Sequence, residues 1–150
     1  DGGASGKYFT GWFFKDGSVD GDWGTEAAFP LVGDGIETTV TVYSRWSDEA
    51  REDGSCKEFA FILTDEAKTF TLSNGVYVFR YDYKKTEFGF LSLQCSLEAL
   101  DFAYIFSVED TTGKTYHPNG IFVNSPTTLY FTVVFSDMEQ TCDWEFFISQ

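Results

Sequence analysis

The chain has 150 residues, of which 43% are hydrophobic and 19% aromatic, and its 24 acidic and 10 basic side chains give a net charge of −14. A surface this acidic repels phosphate backbones and anionic lipid faces, so we exclude nucleic acid as a partner and expect cations, neutral glycans or basic proteins instead. No stretch approaches the ~20 apolar residues that span a bilayer, so we expect no membrane insertion. The many aromatic residues and 14 Gly favour strands and turns over helices.

The chain opens with DGGASG, which has the composition of a flexible linker. It shows no initiating Met, basic region or apolar core of a signal peptide, and an Asp start is typical of a processed chain or an excised module. A chain of this length suits one domain with its own core. We therefore predict a linker-like segment at residues 1–6, a single domain at residues 7–150, and an extracellular or cell-surface location.

An acidic segment, GWFFKDGSVDGDWGTE, follows at residues 11–26. Its DGSVDG part matches the first half of an EF-hand calcium loop, in which alternate side chains converge on the ion. The bidentate Glu expected at the twelfth position is replaced by Ala27, and both flanks are strand-like rather than helical. The sequence therefore predicts either two ordinary Asp-Gly turns or a structural calcium clip in a β-sandwich. The candidate calcium ligands are Asp16, Ser18, Asp20, Asp22 and Glu26.

The next segments alternate between apolar and polar residues, as strands do. GIETTVTVYSRW (35–46) predicts a strand, and KEFAFILT (57–64) continues with its apolar residues in phase. KTFTL and VYVFRYDY flank Ser-Asn-Gly, a signal that predicts a hairpin with an Asn-Gly turn. The only helical segments that the sequence indicates are single turns at SDEARE and SLEALD, each of which opens with a Ser able to cap it.

The second half continues the alternation through FGFLSLQCSL, LDFAYIFSVED, GIFV, SPTTLYFTVVFS and CDWEFFIS. DTTGK is a turn, and Pro118 bars a central strand at TYHPNG. About eight to ten short strands at this spacing predict an all-β, antiparallel β-sandwich, jelly-roll or immunoglobulin-like, with a closed β-barrel as the alternative. The predicted core includes Phe61, Phe79, Phe106, Phe131, Phe135 and Trp144.

The three cysteines are Cys56, Cys95 and Cys142. Cys95 and Cys142 alternate in phase with apolar neighbours, so if any pair is bonded we expect it to be this one. Cys56 lies in an acidic loop. The cysteine spacings match no zinc pattern, and His117 is the only histidine, so we predict no zinc site.

The sequence offers few residues that could catalyse a reaction. His117 lies in a turn and has no adjacent nucleophile motif, and there is no glycine-rich phosphate loop. Among 24 acidic residues some pair always has the separation needed for glycoside hydrolysis, so that abundance carries no weight. We therefore predict that the protein is not an enzyme.

The sequence offers more residues suited to ligand binding than to catalysis. Trp12, Trp23 and Trp46 lie in or beside turns, and Tyr43 alternates with the apolar face of its strand. Sugar rings stack their C–H faces on such aromatic rings, and neighbouring carboxylates accept their hydroxyl groups. The sequence thus predicts a non-catalytic, extracellular carbohydrate-binding or adhesive module for a neutral glycan or cell-surface polymer. The alternative for Trp23 is that it folds back over one end of the sandwich.

Two other functions stay open from the sequence. The β-prone C-terminal strand could complete a neighbour's sheet, which would make the protein a self-associating subunit of a surface fibre. The strand number also fits a lipocalin-like barrel for a small apolar ligand.

Overall fold

A computed structural model of the protein describes residues 6–29 and 39–150. The chain divides into two compact units, Asp1–Arg51 and Glu52–Gln150. Most of the linker-like segment predicted at residues 1–6, and the first four residues of the strand predicted at 35–46, lie outside the described residues. The predicted division into a linker and one domain stays a prediction.

The first unit contains an antiparallel ribbon of β1 (Tyr8–Phe13) and β2 (Tyr43–Ser47). The register shifts between Phe9 and Gly11, which makes Thr10 a bulge residue. Gly11 has a φ of 140°, and a Cβ there would lie 2.8 Å from Glu26 Oε1, so the bulge requires glycine. The acidic segment then folds back along β1, where the amide of Ala27 donates to the carbonyl of Trp12 at 2.8 Å.

The second unit is a sandwich of two sheets. Its strands are β3 (Phe61–Ile62), β4 (Lys68–Leu72), β5 (Gly75–Tyr83), β6 (Gly89–Cys95), β7 (Ala103–Asp110), β8 (Thr115–Tyr116), β9 (Ile121–Val123), β10 (Thr127–Phe135) and β11 (Cys142–Ser149). One sheet has the order β3-β5-β10-β7-β8 and the other β4-β11-β6-β9. All pairs are antiparallel except β3 with β5.

The core lies between these two sheets because their strands alternate between buried and open positions. In β10 the buried positions are Leu129, Phe131, Val133 and Phe135, and in β11 they are Trp144, Phe146 and Ile148. Both patterns are the period of two that the sequence shows. The all-β sandwich is therefore confirmed, and since none of the described sheets closes on itself, the barrel alternative is wrong.

The predicted hairpin at Ser-Asn-Gly is wrong. β4 pairs with β11, and β5 pairs with β10 and β3, so the connection crosses from one sheet to the other. The Asn74 side chain bonds the backbone of Met138, donating to its carbonyl at 2.9 Å and accepting from its amide at 3.0 Å. Met138 lies in the β10–β11 connection, which also crosses between the sheets. Asn74 therefore ties two crossings together instead of forming a hairpin turn.

Phe106 was predicted in the core, and the structure leaves 69% of it exposed. The pairing of β7 with β10 passes from Ser107–Thr132 to Ile105–Val133, so Phe106 is the extra residue of a bulge. A bulge shifts the alternation of a strand by one residue, which turns Phe106 outward. Phe61 is only partly buried, although it packs against the core. The other predicted core residues, Phe79, Phe131, Phe135 and Trp144, are buried.

The two single-turn helices have different outcomes. SLEALD contains a 3-10 helix, Leu97–Asp101, although the Ser96 side chain makes no capping hydrogen bond. SDEARE is not helical, although the Ser47 hydroxyl accepts the amide of Glu49 as a capping Ser would. No helix among the described residues has both the length and the apolar character that crossing a membrane requires.

All three cysteines are free, so the bond between Cys95 and Cys142 that we expected if any pair was bonded is not formed. Both thiols pack against the core, as the alternation predicted. Cys95 lies opposite Phe146 on β11, however, while Cys142 lies four residues earlier on that strand, opposite Leu72. Four residues of strand span about 13 Å. A disulfide needs its Cα atoms within about 7 Å, so a shared face does not bring these two cysteines into reach.

Candidate functional site

Two of the predicted tryptophans meet on one side of the β1–β2 ribbon. Phe9 pairs with Trp46, and Trp12 pairs with Ser44, which lies two residues before Trp46 on β2. Residues three apart in a regular strand point to opposite faces, but the bulge at Thr10 returns Trp12 to the side of Phe9. The centroid of the Phe9 ring lies 5.5 Å from the Trp12 ring and 5.5 Å from the Trp46 ring. We call Phe9, Trp12 and Trp46 the aromatic face.

The rings of the aromatic face are open to solvent and held in place. Trp12 is 41% exposed and Trp46 is 37% exposed. The indole Nε1 of Trp46 donates to the Ser44 hydroxyl at 3.1 Å, which fixes the orientation of that ring. The face therefore offers two oriented indole surfaces before any ligand arrives.

Trp23 and Tyr43 lie on the opposite side of the ribbon. Tyr43 pairs with Phe13, and the centroid of the Trp23 ring lies 5.8 Å from that of Phe13. The Arg45 guanidinium lies 6.0 Å from the Trp23 ring centroid. A Cβ on Gly17 would lie 2.6 Å from the indole, so Trp23 packs against its own loop. The structure thus brings together Trp12 and Trp46 and separates Trp23 and Tyr43 from them.

The acidic loop is organised by its own backbone and by Lys15. The carboxylate of Asp16 accepts the amide of Ser18 at 3.0 Å, that of Asp20 accepts the amide of Asp22 at 2.9 Å, and that of Asp22 accepts the amide of Gly24 at 3.1 Å. The turns at Asp16 and Asp20 are the two Asp-Gly turns of the simpler prediction, and Asp22 forms a third.

The Lys15 ammonium forms ion pairs with two of these carboxylates. It lies 3.3 Å from Asp20 and also contacts Asp22. Its hydrogen bond is the main cause that lowers the pKa of Asp22, whereas the amide of Asp22 is the main cause that lowers the pKa of Asp20. The Asp22 carboxylate in turn raises the pKa of Lys15.

Glu26, the last predicted calcium ligand, is bound to Arg51 instead. The Arg51 Nη1 lies 2.6 Å from Glu26 Oε1 and donates to the carbonyl of the bulge residue Thr10 at 2.8 Å. Within residues 6–29 and 39–150, no three His, Cys, Asp or Glu side chains are grouped to hold a metal. Calcium binding stays a prediction, and an ion in this loop would have to displace Lys15 and draw Glu26 from Arg51.

The second unit has a cleft that the sequence does not predict. It has a volume of about 660 Å³ and lies between β6 and β7, with the core residues Val133 and Phe146 among its lining. In the described part of the chain, β9 pairs with β6 only as far as Leu91 and β8 pairs with β7 only at 108–109. The cleft is therefore bounded by strand edges that are distant in sequence, which no local pattern reveals.

A further cleft of about 660 Å³, which we call the polar cleft, lies among the end of β5, the 110–114 turn and the segment 123–128. The turn is organised by Asp110, which is only 7% exposed. Its carboxylate accepts the Thr112 hydroxyl at 2.6 Å and the Tyr116 hydroxyl at 2.9 Å. These bonds, the Thr112 hydroxyl first, together with two backbone amides, outweigh burial and lower the pKa of Asp110 to about 2. The DTTGK pattern predicted the turn but not the cleft.

No protein-family model, curated protein or solved structure matches the chain. Any functional assignment therefore rests on the geometry of the protein's own residues.

Proposed function

We propose that the protein is a non-catalytic, extracellular binding module that holds a neutral glycan on its aromatic face. The observation that supports this most strongly is the pair of exposed indole rings, Trp12 and Trp46, on one side of the ribbon. Sugar rings carry flat C–H faces that stack on indole rings. The three rings of the aromatic face carry no charge, which suits a neutral ligand.

The exposed indole surface is large enough to drive binding. An indole side chain has roughly 200 Å² of surface, so exposures of 41% and 37% leave roughly 160 Å² open on the two rings together. At about 25 cal/mol per Å², covering that area is worth about 4 kcal/mol before the costs of association. A stacked saccharide recovers part of this free energy.

The rings of the aromatic face are already ordered, which supports the proposed glycan binding. Trp46 is fixed by its bond to Ser44, and Phe9 packs edge-on against both indoles. Rings that are already ordered lose little side-chain entropy when a ligand docks.

The His117 ring, the only imidazole in the chain, accepts the amide of Asn119 in its own turn, which fits a local structural role better than catalysis.

The other two functions have less support. β11 pairs with β4 over Cys142–Phe146 and with β6 over Phe146–Ser149, so each half of the strand is already paired within its own sheet. A lipocalin-like protein needs a closed barrel, and the described sheets do not form one. An extracellular location goes with a glycan ligand, although the three free thiols add nothing in its favour.

Calorimetric titration against a panel of neutral polysaccharides tests this proposal. Loss of one stacking ring should weaken binding about tenfold, so Trp12→Ala and Trp46→Ala should each do so. Tyr43→Ala is the matched control, because Tyr43 has the same 37% exposure as Trp46 and lies on the same strand but on the other face. Absence of binding across the panel, or equal losses for Tyr43→Ala and Trp46→Ala, would contradict the proposal. Repeating the titration in calcium and in chelator tests the calcium prediction.

A further inference from the structure

Most basic side chains in this acidic protein are paired with carboxylates. The residues with such an ion pair are Lys7, Lys15, Arg51, Lys57, Lys68 and Arg80. The other four basic side chains, Arg45, Lys84, Lys85 and Lys114, form no ion pair with a described residue. Arg45 lies over the rings of Phe13 and Trp23, and Lys85 contacts Gln150. Lys84 and Lys114 both line the polar cleft.

The carboxylates of the polar cleft are already satisfied by other donors. Asp82 takes a two-pronged contact from Arg80, at 3.0 and 3.1 Å, and the Thr128 hydroxyl at 2.7 Å. Asp110 is occupied by the hydrogen bonds of its own turn. Lys114 lies 4.8 Å from the ring centroid of Tyr116, a contact that orients its ammonium without neutralising it.

The charge of the polar cleft therefore differs from that of the whole chain. Its lining carries Arg80, Lys84 and Lys114 against Asp82 and Asp110, and so is net positive in a protein of net charge −14. Exposed charges farther off than about 8 Å are largely screened at physiological salt, so a ligand in the cleft responds mainly to these nearby groups. An anionic ligand in the cleft would pair with the two exposed ammonium groups.

The neutral part of the lining indicates what kind of anion fits. Thr111 and Asn124 are exposed, and their side chains make no hydrogen bond to another described residue. Phe122 also lines the cleft and is 56% exposed, and its ring is held by Phe88 at 5.6 Å and Phe90 at 5.0 Å. Hydroxyl and amide groups beside an open aromatic ring are the groups that recognise a saccharide.

We propose that the polar cleft binds a carboxylate-bearing saccharide of the uronic acid type. Lys84 and Lys114 hold the carboxylate, Thr111 and Asn124 bond the hydroxyl groups, and Phe122 stacks against the ring. The cleft volume of about 660 Å³ lies in the usual range for small-molecule sites, about 300–1,000 Å³. This goes beyond the proposed function, because the site uses other residues than the aromatic face and selects for charge.

Calorimetry with an oligogalacturonide and its methyl ester tests the proposal. The acid should bind, and esterification, which removes the charge but keeps the ring, should weaken binding at least about tenfold. Lys84→Gln and Lys114→Gln should each weaken binding of the acid by about tenfold. Both variants should stay folded, because neither ammonium forms an ion pair in the structure.

Lys85→Gln is the matched control, since it removes the same charge from the adjacent residue, whose ammonium contacts Gln150. It should leave the affinity unchanged, as should Trp12→Ala, which separates this site from the aromatic face. Equal binding of acid and ester, or an equal loss in Lys84→Gln and Lys85→Gln, would overturn the proposal. A poly-glutamate peptide that binds as well as the saccharide would overturn the assignment of ligand class.

Discussion

The sheet-crossing role of Asn74 leads to a stability prediction. In a type I′ hairpin the Asn of Asn-Gly has a positive φ, so glycine is a favourable replacement there. Asp137 is the only non-glycine residue with a positive φ in the described part of the chain, so Asn74 is not in that conformation. Asn74→Gly instead removes both hydrogen bonds to Met138.

The magnitude follows from those two bonds. Each is worth about 0.5–1.5 kcal/mol net, and the cost rises when the remaining partner is buried and unsatisfied. Met138 is 8% exposed, so its amide and carbonyl have little access to water once the side chain of Asn74 is gone. We expect Asn74→Gly to lower the free energy of unfolding by about 2–3 kcal/mol.

Urea unfolding monitored by tryptophan fluorescence measures this change. Asn74→Asp is the control, because a carboxylate still accepts the amide of Met138 but no longer donates to its carbonyl. Its loss should lie between zero and that of Asn74→Gly. An Asn74→Gly protein within about 0.5 kcal/mol of the wild type, the range of ordinary surface substitutions, would refute the crossing and favour a hairpin.

Three further predictions concern acid stability, the thiols and the β7 bulge. Since the folded pKa of Asp110 is about 2, below the model-compound value of 3.8, its ionised form stabilises the fold above about pH 4 and this contribution is lost as the pH falls towards 2. Asp110→Asn should therefore flatten the fall in melting temperature over that interval, and an unchanged slope would contradict this. A thiol reagent should modify the exposed Cys56 rapidly and the half-buried Cys95 slowly, because burial raises the pKa of the Cys95 thiol. After unfolding without reductant, all three thiols should react. Two unreactive thiols would mean that a disulfide is present. Phe106→Ser should change stability by less than about 0.5 kcal/mol and Phe131→Ala by about 3–5 kcal/mol, so similar losses in urea unfolding would contradict the bulge.

Local patterns in the sequence were sufficient for the fold class. The alternation in β10 and β11 predicted which side of each strand is buried, because the period of two follows directly from strand geometry. The DTTGK turn likewise depends only on neighbouring residues, with Gly113 at a φ of 85°. Features of this kind can be predicted without knowing which strands pair.

Features that depend on strand pairing could not be predicted. Ser-Asn-Gly has the composition of a hairpin turn, and only the position of Met138, 64 residues later, shows the other use of Asn74. Phe106 was placed in the core because a bulge cannot be read from alternation alone. The Cys95–Cys142 pairing failed because alternation gives the face of a residue and not its register along the neighbouring strand.

The candidate site was only partly predictable for the same reason. Trp12 and Trp46 stood out as aromatic residues beside turns, but their meeting depends on the bulge at Thr10. Trp23 was a sequence candidate of the same kind, and the structure packs it against Gly17 and Phe13. The polar cleft escaped notice because three separate stretches of sequence supply its lining.

The most direct test of the aromatic face is an NMR titration of the indole N–H signals. The chain has 4 Trp and therefore four such signals, which single substitutions assign. A neutral glycan found by calorimetry should shift the signals of Trp12 and Trp46 and leave those of Trp23 and the buried Trp144 in place. A ligand that shifts Trp23 and spares the other three would contradict the account, because it would place binding on the opposite side of the ribbon.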